Sequence, residues 1–157
     1  IKNKTATIAV GIYSVENMLL GFAIGSKQSK GYYKIILQSN FFKFCMIGIY
    51  LVFTKPMAII RLMKNMDKVK KKSDDGLYCE LLSIGISADQ KGKGYGKILL
   101  QAFEREVLKI GLNKITLTTD YDNNDRVIAF YKKSGYEVFY EFTAYPSRKM
   151  YRFIKTV

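Results

Sequence analysis

The period of apolar and polar positions changes several times along this chain, and each change marks an element. Ala6–Tyr13 (ATIAVGIY) and Met18–Ser26 (MLLGFAIGS) are rich in β-branched and apolar residues, with polar Ser14–Asn17 between them. That predicts an antiparallel hairpin with a short turn. Gly21 and Gly25 lie inside the second strand and point to a bulge or a close backbone approach. Ser26–Gly31 is polar and loop-like, and a long aromatic and aliphatic region follows over Tyr32–Asn40 and Phe41–Thr54. Phe41–Phe53 holds one charge, Lys43, and is too short to span a bilayer unaided. A buried helix is the expectation there. A helix lying on a membrane surface or docking a partner is the alternative, because the flanks are basic. Pro56 breaks the pattern and opens a helix over Met57–Val69, with Ile59, Ile60, Met63 and Met66 spaced for one buried face. Its basic tail Lys68–Lys72 suits a helix C-terminus, and Ser73–Gly76 is a turn.

The second half reads more regularly. Leu77–Ser87 (LYCELLSIGIS) is almost continuously apolar, as a central strand covered on both faces should be, and Glu80 is its only charge. From Tyr95 to Ile110, apolar Tyr95, Ile98, Leu99, Ala102, Phe103, Val107 and Ile110 fall at helical spacing, and Gly111 follows at the C-cap. Lys114–Thr119 alternates as a strand, and Asp120–Asn124 supplies turn and N-cap chemistry. Asp125–Lys133 is a short helix stopped by Ser134–Gly135. Tyr136–Phe142 is a strand with Glu137 and Glu141 opposite Val138, Tyr140 and Phe142, and Arg148–Val157 is the last strand. The order is β-β, helices, β-α-β-α-β-β. The βαβ portion needs a parallel crossover and the end hairpins are antiparallel, so the fold class is mixed α/β: one mixed sheet flanked by helices. No repeat or linker divides residues 1–157, which read as a single domain.

Composition narrows the partners. The chain has 157 residues, enough to bury about two-thirds of its unfolded surface, and a formal net charge of +13. That excess suits an anionic partner: a nucleotide cofactor, nucleic acid, an acidic glycan or a membrane surface. There is no histidine, which excludes a histidine base, a Ser–His or Cys–His pair and most catalytic zinc sites. Cys45 and Cys79, both in apolar surroundings, fit buried free thiols of a reducing, cytoplasmic compartment. The chain begins at Ile1 without a secretory signal pattern and reads as a fragment, a processed form, or a chain lacking its first residues.

The chemistry concentrates in Asp89–Leu100 (DQKGKGYGKILL). Gly92, Gly94 and Gly96 alternate with Lys91, Lys93, Tyr95 and Lys97, between an apolar strand and an amphipathic helix. Strand, glycine loop and helix present backbone N–H groups to an anion at a helix N-terminus. This reads as a pyrophosphate cradle.

From these residues the second half, Tyr78 to Phe139, resembles the Gcn5-related N-acetyltransferase family. The hairpin near Ala6–Ser26 matches it more loosely. The family's acetyl-CoA motif is Arg or Gln, two residues, Gly, one residue, Gly or Ala. It is matched by Lys91-Gly92-Lys93-Gly94-Tyr95-Gly96, with Lys in the first position. Asn124–Phe139 (NDRVIAFYKKSGYEVF) is similar to the family's NxxAIxFYxKxGF segment, with Val127 in place of the usual Ala. The family usually places a strand and two helices before its first hairpin. Either those elements precede Ile1, or Tyr32–Lys72 supplies the acceptor-side wall instead.

The resemblance implies an acetyl-CoA-dependent N-acetyltransferase that moves an acetyl group directly to a primary amine, with no metal. It implies a gap between splayed parallel strands, Leu77–Ser87 and Lys114–Thr119, whose unpaired backbone meets the pantetheine arm at Ile84 and Ile86. The N–H near Ile84 or Gly85 would polarise the thioester carbonyl. The amides of Gly92, Gly94, Gly96 and Lys97 would hold the pyrophosphate, with charge from Lys91 and Lys93. Tyr131 sits at the position of the family's general acid, and Asn124 matches a cofactor-contacting Asn. Glu80, a carboxylate in an apolar strand where burial favours its protonated form, is the candidate base. An amino sugar or other small amine is the favoured acceptor, with a protein or peptide amine as the alternative. A basic nucleic-acid or membrane-surface module without catalysis is the competing reading. No nucleic-acid partner is expected, and membrane-surface contact is not favoured.

Overall fold

The structure is a computed structural model and describes residues 7–27, 38, 40–57, 78–144 and 146–157. Strands β1 (Thr7–Tyr13) and β2 (Leu19–Ser26) come first, then helix α1 (Phe41–Thr54). Strand β3 (Cys79–Ile86), a single 3-10 turn at Ala88–Gln90 and helix α2 (Tyr95–Lys109) follow. Strand β4 (Lys114–Asp120), helix α3 (Asp125–Lys133), β5 (Glu137–Ala144) and β6 (Arg148–Thr156) complete the order. The six strands form one sheet in the order β1-β2-β3-β4-β6-β5. Only β3 and β4 pair in parallel; the other neighbours are antiparallel.

The expected hairpin is present. Ser14 N–H donates to the Met18 carbonyl (2.8 Å), Met18 N–H to Ser14 Oγ (3.1 Å), and Asn17 takes a positive φ of 66°. Gly25 sits at a register shift where β2 runs against β3. A Cβ there would lie 2.6 Å from the Glu80 carbonyl oxygen and closer still to the Phe103 ring. Only glycine lets α2 come down onto the sheet at this point.

The core lies between the sheet and the face of α2 and α3. Leu99, Leu100, Phe103 and Val107 of α2 pack with Cys79, Leu81, Ile115, Leu117 and Phe153. Full burial of each such apolar side chain contributes about 1.5–3 kcal/mol. The helix stripe is rotated slightly from the expected one: Leu100 is buried, whereas Ile98 and Ile110 are exposed. The chain leaves α3 by bonds from Gly135 N–H to the Lys132 carbonyl and from Tyr136 N–H to the Tyr131 carbonyl, both 3.0 Å. That 6→1 closure brings buried Tyr136 against Tyr131, with ring centroids 5.8 Å apart.

Four expectations need correction. Helix α1 has no buried residue, so it is not the core helix that its apolar sequence suggested. Cys45, which it carries, is exposed, and only Cys79 is a buried free thiol. Strand β5 does not alternate simply. A register shift between Val138 and Tyr140 puts Val138 opposite Phe153 but Tyr140 opposite Arg152, so Val138 and Tyr140 face opposite sides. Strand β3 is covered only in its first half: Leu82 and Ser83 are exposed because β4 has moved away. Pro56 and Met57 are helical as expected, whereas the rest of Met57–Val69, the turn Ser73–Gly76, Leu77 and most of Tyr32–Asn40 lie outside the described residues.

Candidate active site

The parallel ladder between β3 and β4 has three pairs: Cys79 with Ile115, Glu80 with Thr116, and Leu81 with Leu117. It then stops. Strand β3 continues to Ile86 along β2, and β4 continues to Asp120 along β6. Past Leu81 the two strands therefore have partners on their outer sides only. The backbone groups they turn toward each other lack a ladder, and such groups need a partner from elsewhere.

A cleft of about 710 Å³ occupies this fork. Ile84, Gly85 and Ile86 of β3 form one wall. Lys91, Gly92, Gly94, Tyr95, Gly96 and Lys97 form its end, and α3 closes the other side with Val127, Phe130, Tyr131 and Ser134. Gln90 and Lys133 complete the lining. Among the described residues that line it, the charged side chains are Lys91, Lys97 and Lys133, and none is a carboxylate.

The glycine loop has the geometry of an anion cradle. Gly92 and Gly94 take φ of 80° and 83°, a region that favours glycine. Gly94 is the N-cap of α2, so the first amides of this helix point outward at its positive end. A Cβ on Gly92 or Gly94 would meet nothing, so it is backbone conformation and not space that selects glycine there. Gly96 differs: it lies within the helix, and a Cβ there would rest 3.7 Å from the Phe130 ring. The Lys97 amide is already used, donating to the Gly94 carbonyl at 3.0 Å. Lys97 can thus offer its side chain to an anion but not the amide that the sequence reading assigned.

Three predicted residues, Lys93, Asn124 and Glu80, stand outside the lining. Lys93 Nζ donates to Gln90 Oε1 at 3.0 Å. Asn124 caps α3 through its carbonyl, which accepts from Val127 and Ile128 N–H, while its Nδ2 donates to Thr119 Oγ1 (2.7 Å) and the Asp120 carbonyl (3.0 Å). Asn124 therefore ties the end of β4 to the start of α3 and sets where α3 stands beside the cleft.

Tyr131 is nearly buried yet lines the cleft. Phe130, Tyr136 and Phe153 hold its ring, with centroids 5.2, 5.8 and 6.0 Å away. Burial raises its pKa, so the hydroxyl keeps its proton through the neutral range.

Glu80 lies below the fork, in the paired part of the ladder. Its Oε1 accepts from Arg152 Nη1 at 2.9 Å, and both side chains are largely buried. Arg152 Nη2 also donates to Thr116 Oγ1 (3.1 Å) and the Tyr78 hydroxyl (3.2 Å). Burial works against the Arg152 charge, but Glu80 and then Tyr78 and Tyr140 outweigh it and raise its pKa. The lone carboxylate expected in an apolar strand is thus one half of an ion pair, and it is not among the cleft's lining residues. The sequence reading missed Arg152, which a position in the last strand alone does not single out. It also missed Gln90, Phe130, Lys133 and Ser134; the spacing of Val127, Phe130, Tyr131 and Ser134 along one face of α3 is the signal that carried part of this.

Several solved structures share the fold. An acetyltransferase from Bacillus cereus matches with TM-score 0.57 at 13% identity, covering 100% of this chain and 80% of that one. The ribosomal-protein-S18-alanine N-acetyltransferase from Escherichia coli matches with TM-score 0.59 at 13% identity, covering 97% and 70%. The PaiA N-acetyltransferase from Thermoplasma acidophilum, in complex with coenzyme A, matches with TM-score 0.56 at 16% identity, covering 97% and 62%. No curated protein sequence matches. The family model described as the acetyltransferase (GNAT) family matches residues 12–136, most of the chain and all of the cleft just described, and the chain belongs to that family.

Proposed function

We propose that this chain binds acetyl-CoA in the fork between β3 and β4 and transfers the acetyl group to a primary amine directly, in a ternary complex. The observation that carries the reading is the end of the parallel ladder at Leu81 and Leu117, immediately before a cationic cleft at the N-terminus of α2. The residues present suit that substrate. The backbone groups of Ile84–Ile86 that face the fork, away from the ladder with β2, accommodate the amides of a pantetheine arm. The outward amides at Gly92, Gly94, Tyr95 and Gly96, with the Lys91 and Lys97 side chains, suit a pyrophosphate.

In the reaction, the neutral amine nitrogen forms a bond to the thioester carbonyl carbon and the carbon–sulfur bond breaks. A β3 amide at Ile84 or Gly85 polarises the carbonyl oxygen. The Tyr131 hydroxyl gives its proton to the departing sulfur. The proton shed by nitrogen passes to water, since none of the described residues lining the cleft is a carboxylate, and water returns a proton to Tyr131. We assign Glu80 to holding Arg152 and the paired base of the fork rather than to taking this proton. The products are an amide and a free thiol.

An amino sugar or another small amine is the acceptor we favour, and a peptide N-terminus is the alternative. Thiol release from acetyl-CoA, followed against a panel of amino sugars, small amines and peptides, tests the reading. Amine-dependent release with at least one class supports it. Saturable acetyl-CoA binding with no release for any amine would reduce the chain to a binding module.

A further inference from the structure

Helix α1 contributes no residue to the cleft lining described above. Along Phe41–Thr54 the one charged residue is Lys43, and none is buried. Only Gly48 and Leu51, one turn apart, are even half-covered. Phe42 and Phe53 are each 83% exposed, and Met46, Ile49 and Tyr50 are exposed between them. A surface helix of a water-facing protein keeps its apolar residues in one stripe against the core. This helix has apolar residues on every side and sits outside the core, so its sequence suits an apolar surrounding that the described residues do not supply.

Three observations choose the occupant. The helix has 14 residues, about 21 Å at helical rise, short of a hydrocarbon core about 30 Å thick. Among the described residues, no helix is long and apolar enough to cross a membrane. Second, from residue 27 to residue 72 the sequence holds a single acid, Asp67, and most of the chain's basic excess, ending in Lys68–Lys72. Lys43 and Lys55, on and just beyond the helix, are exposed. Third, a second copy of this chain would bring the same positive charge and cover only one side of α1, whereas a lipid surface surrounds a helix sunk into it and complements the charge.

We propose that α1 seats this protein on an anionic lipid bilayer, lying flat in the outer acyl layer just beneath the headgroups, with the exposed Lys43 and Lys55 reaching the headgroup phosphates. The interaction is separate from the cleft and does not require acetyl-CoA.

The test is co-sedimentation of the whole chain with vesicles of phosphatidylcholine alone or doped with phosphatidylglycerol, at low and high salt. The wild-type protein pellets with the anionic vesicles, less so at high salt, and stays in solution without lipid. The double substitution Phe42→Glu and Phe53→Glu lowers the partition constant about tenfold or more. Both side chains are exposed, so the variant keeps its circular dichroism and melting curve, which are checked alongside. Absence of sedimentation with anionic vesicles overturns the proposal. So does sedimentation that the double substitution leaves unchanged, since the basic sequence alone would then be responsible. An oligomer in size-exclusion chromatography that the substitution turns into a monomer, without lipid binding, overturns it in favour of a second copy.

Discussion

Leu81 and Leu117 are the last residues that β3 and β4 pair, and both are buried in the core. The fork therefore has a fixed apex. On one face the two leucines pack with Phe103 and Phe153, and on the opposite face Arg152 bridges Glu80 on β3 and Thr116 on β4. Above that apex each strand follows its outer neighbour, and the separation becomes the cleft.

The apex depends on the Glu80–Arg152 pair. Glu80→Ala leaves a buried guanidinium without its carboxylate and lowers unfolding free energy by about 3–5 kcal/mol. Glu80→Gln, which keeps an accepting oxygen, costs less. Urea denaturation measures both. Folded Glu80→Gln retains its turnover across the pH range; loss at neutral pH with recovery at higher pH would make Glu80 the base instead.

Tyr131 is the only tyrosine on α3 and the one whose ring both joins the core and lines the cleft. Tyr131→Phe keeps the packing and removes the proton. Turnover falls by about a hundredfold or more while acetyl-CoA affinity changes by less than about threefold. Steady-state kinetics with calorimetric affinity checks the split, and unchanged turnover removes Tyr131 from the mechanism.

Gly94 carries a left-handed backbone at the N-cap of α2 with open space around it. Gly94→Ala strains that backbone by about 1–2 kcal/mol and turns the cradle amides away. Acetyl-CoA affinity drops more than stability does. Gly25→Ala has the opposite profile: it meets backbone and the Phe103 ring, costs about 1–3 kcal/mol by overpacking, and leaves affinity per folded molecule unchanged. Melting curves and calorimetry on both variants separate the two roles.

Cys79 makes stability fall at alkaline pH. Burial, and next Glu80, push its thiol up from 9.0 to about 12. The folded-state pKa is the higher one, so stability is fully present below 9.0 and is lost as pH rises from there toward 12, by at most about 1.4 kcal/mol per pH unit from this group. Denaturation on either side of pH 9.0 shows the slope, and Cys79→Ala reduces it. In the native protein a thiol reagent labels exposed Cys45 rapidly and Cys79 only on unfolding.

Much of the fold was legible because local chemistry decides it. The hairpin, the helix over Tyr95–Lys109 and its Gly111 stop follow from period and cap residues within a few positions of one another. The placement of β6 between β4 and β5 was not legible, because sheet order is settled by long-range pairing. The same reason hid the partner of Glu80. A single charge in an apolar strand looks like a base until Arg152, 72 residues away, arrives from β6. The bulge between Val138 and Tyr140 reversed half of β5, since one extra residue changes the face of every position beyond it. Helix α1 misled for another reason: apolar composition says that a helix avoids water but not what covers it.

Acetyl-CoA held in the fork beyond Leu81 and Leu117 gives, on calorimetric titration of the purified chain, saturable heat with one site per chain, weakened by Gly94→Ala and unaffected by Phe42→Glu. Absence of saturable binding at any accessible concentration would contradict that placement.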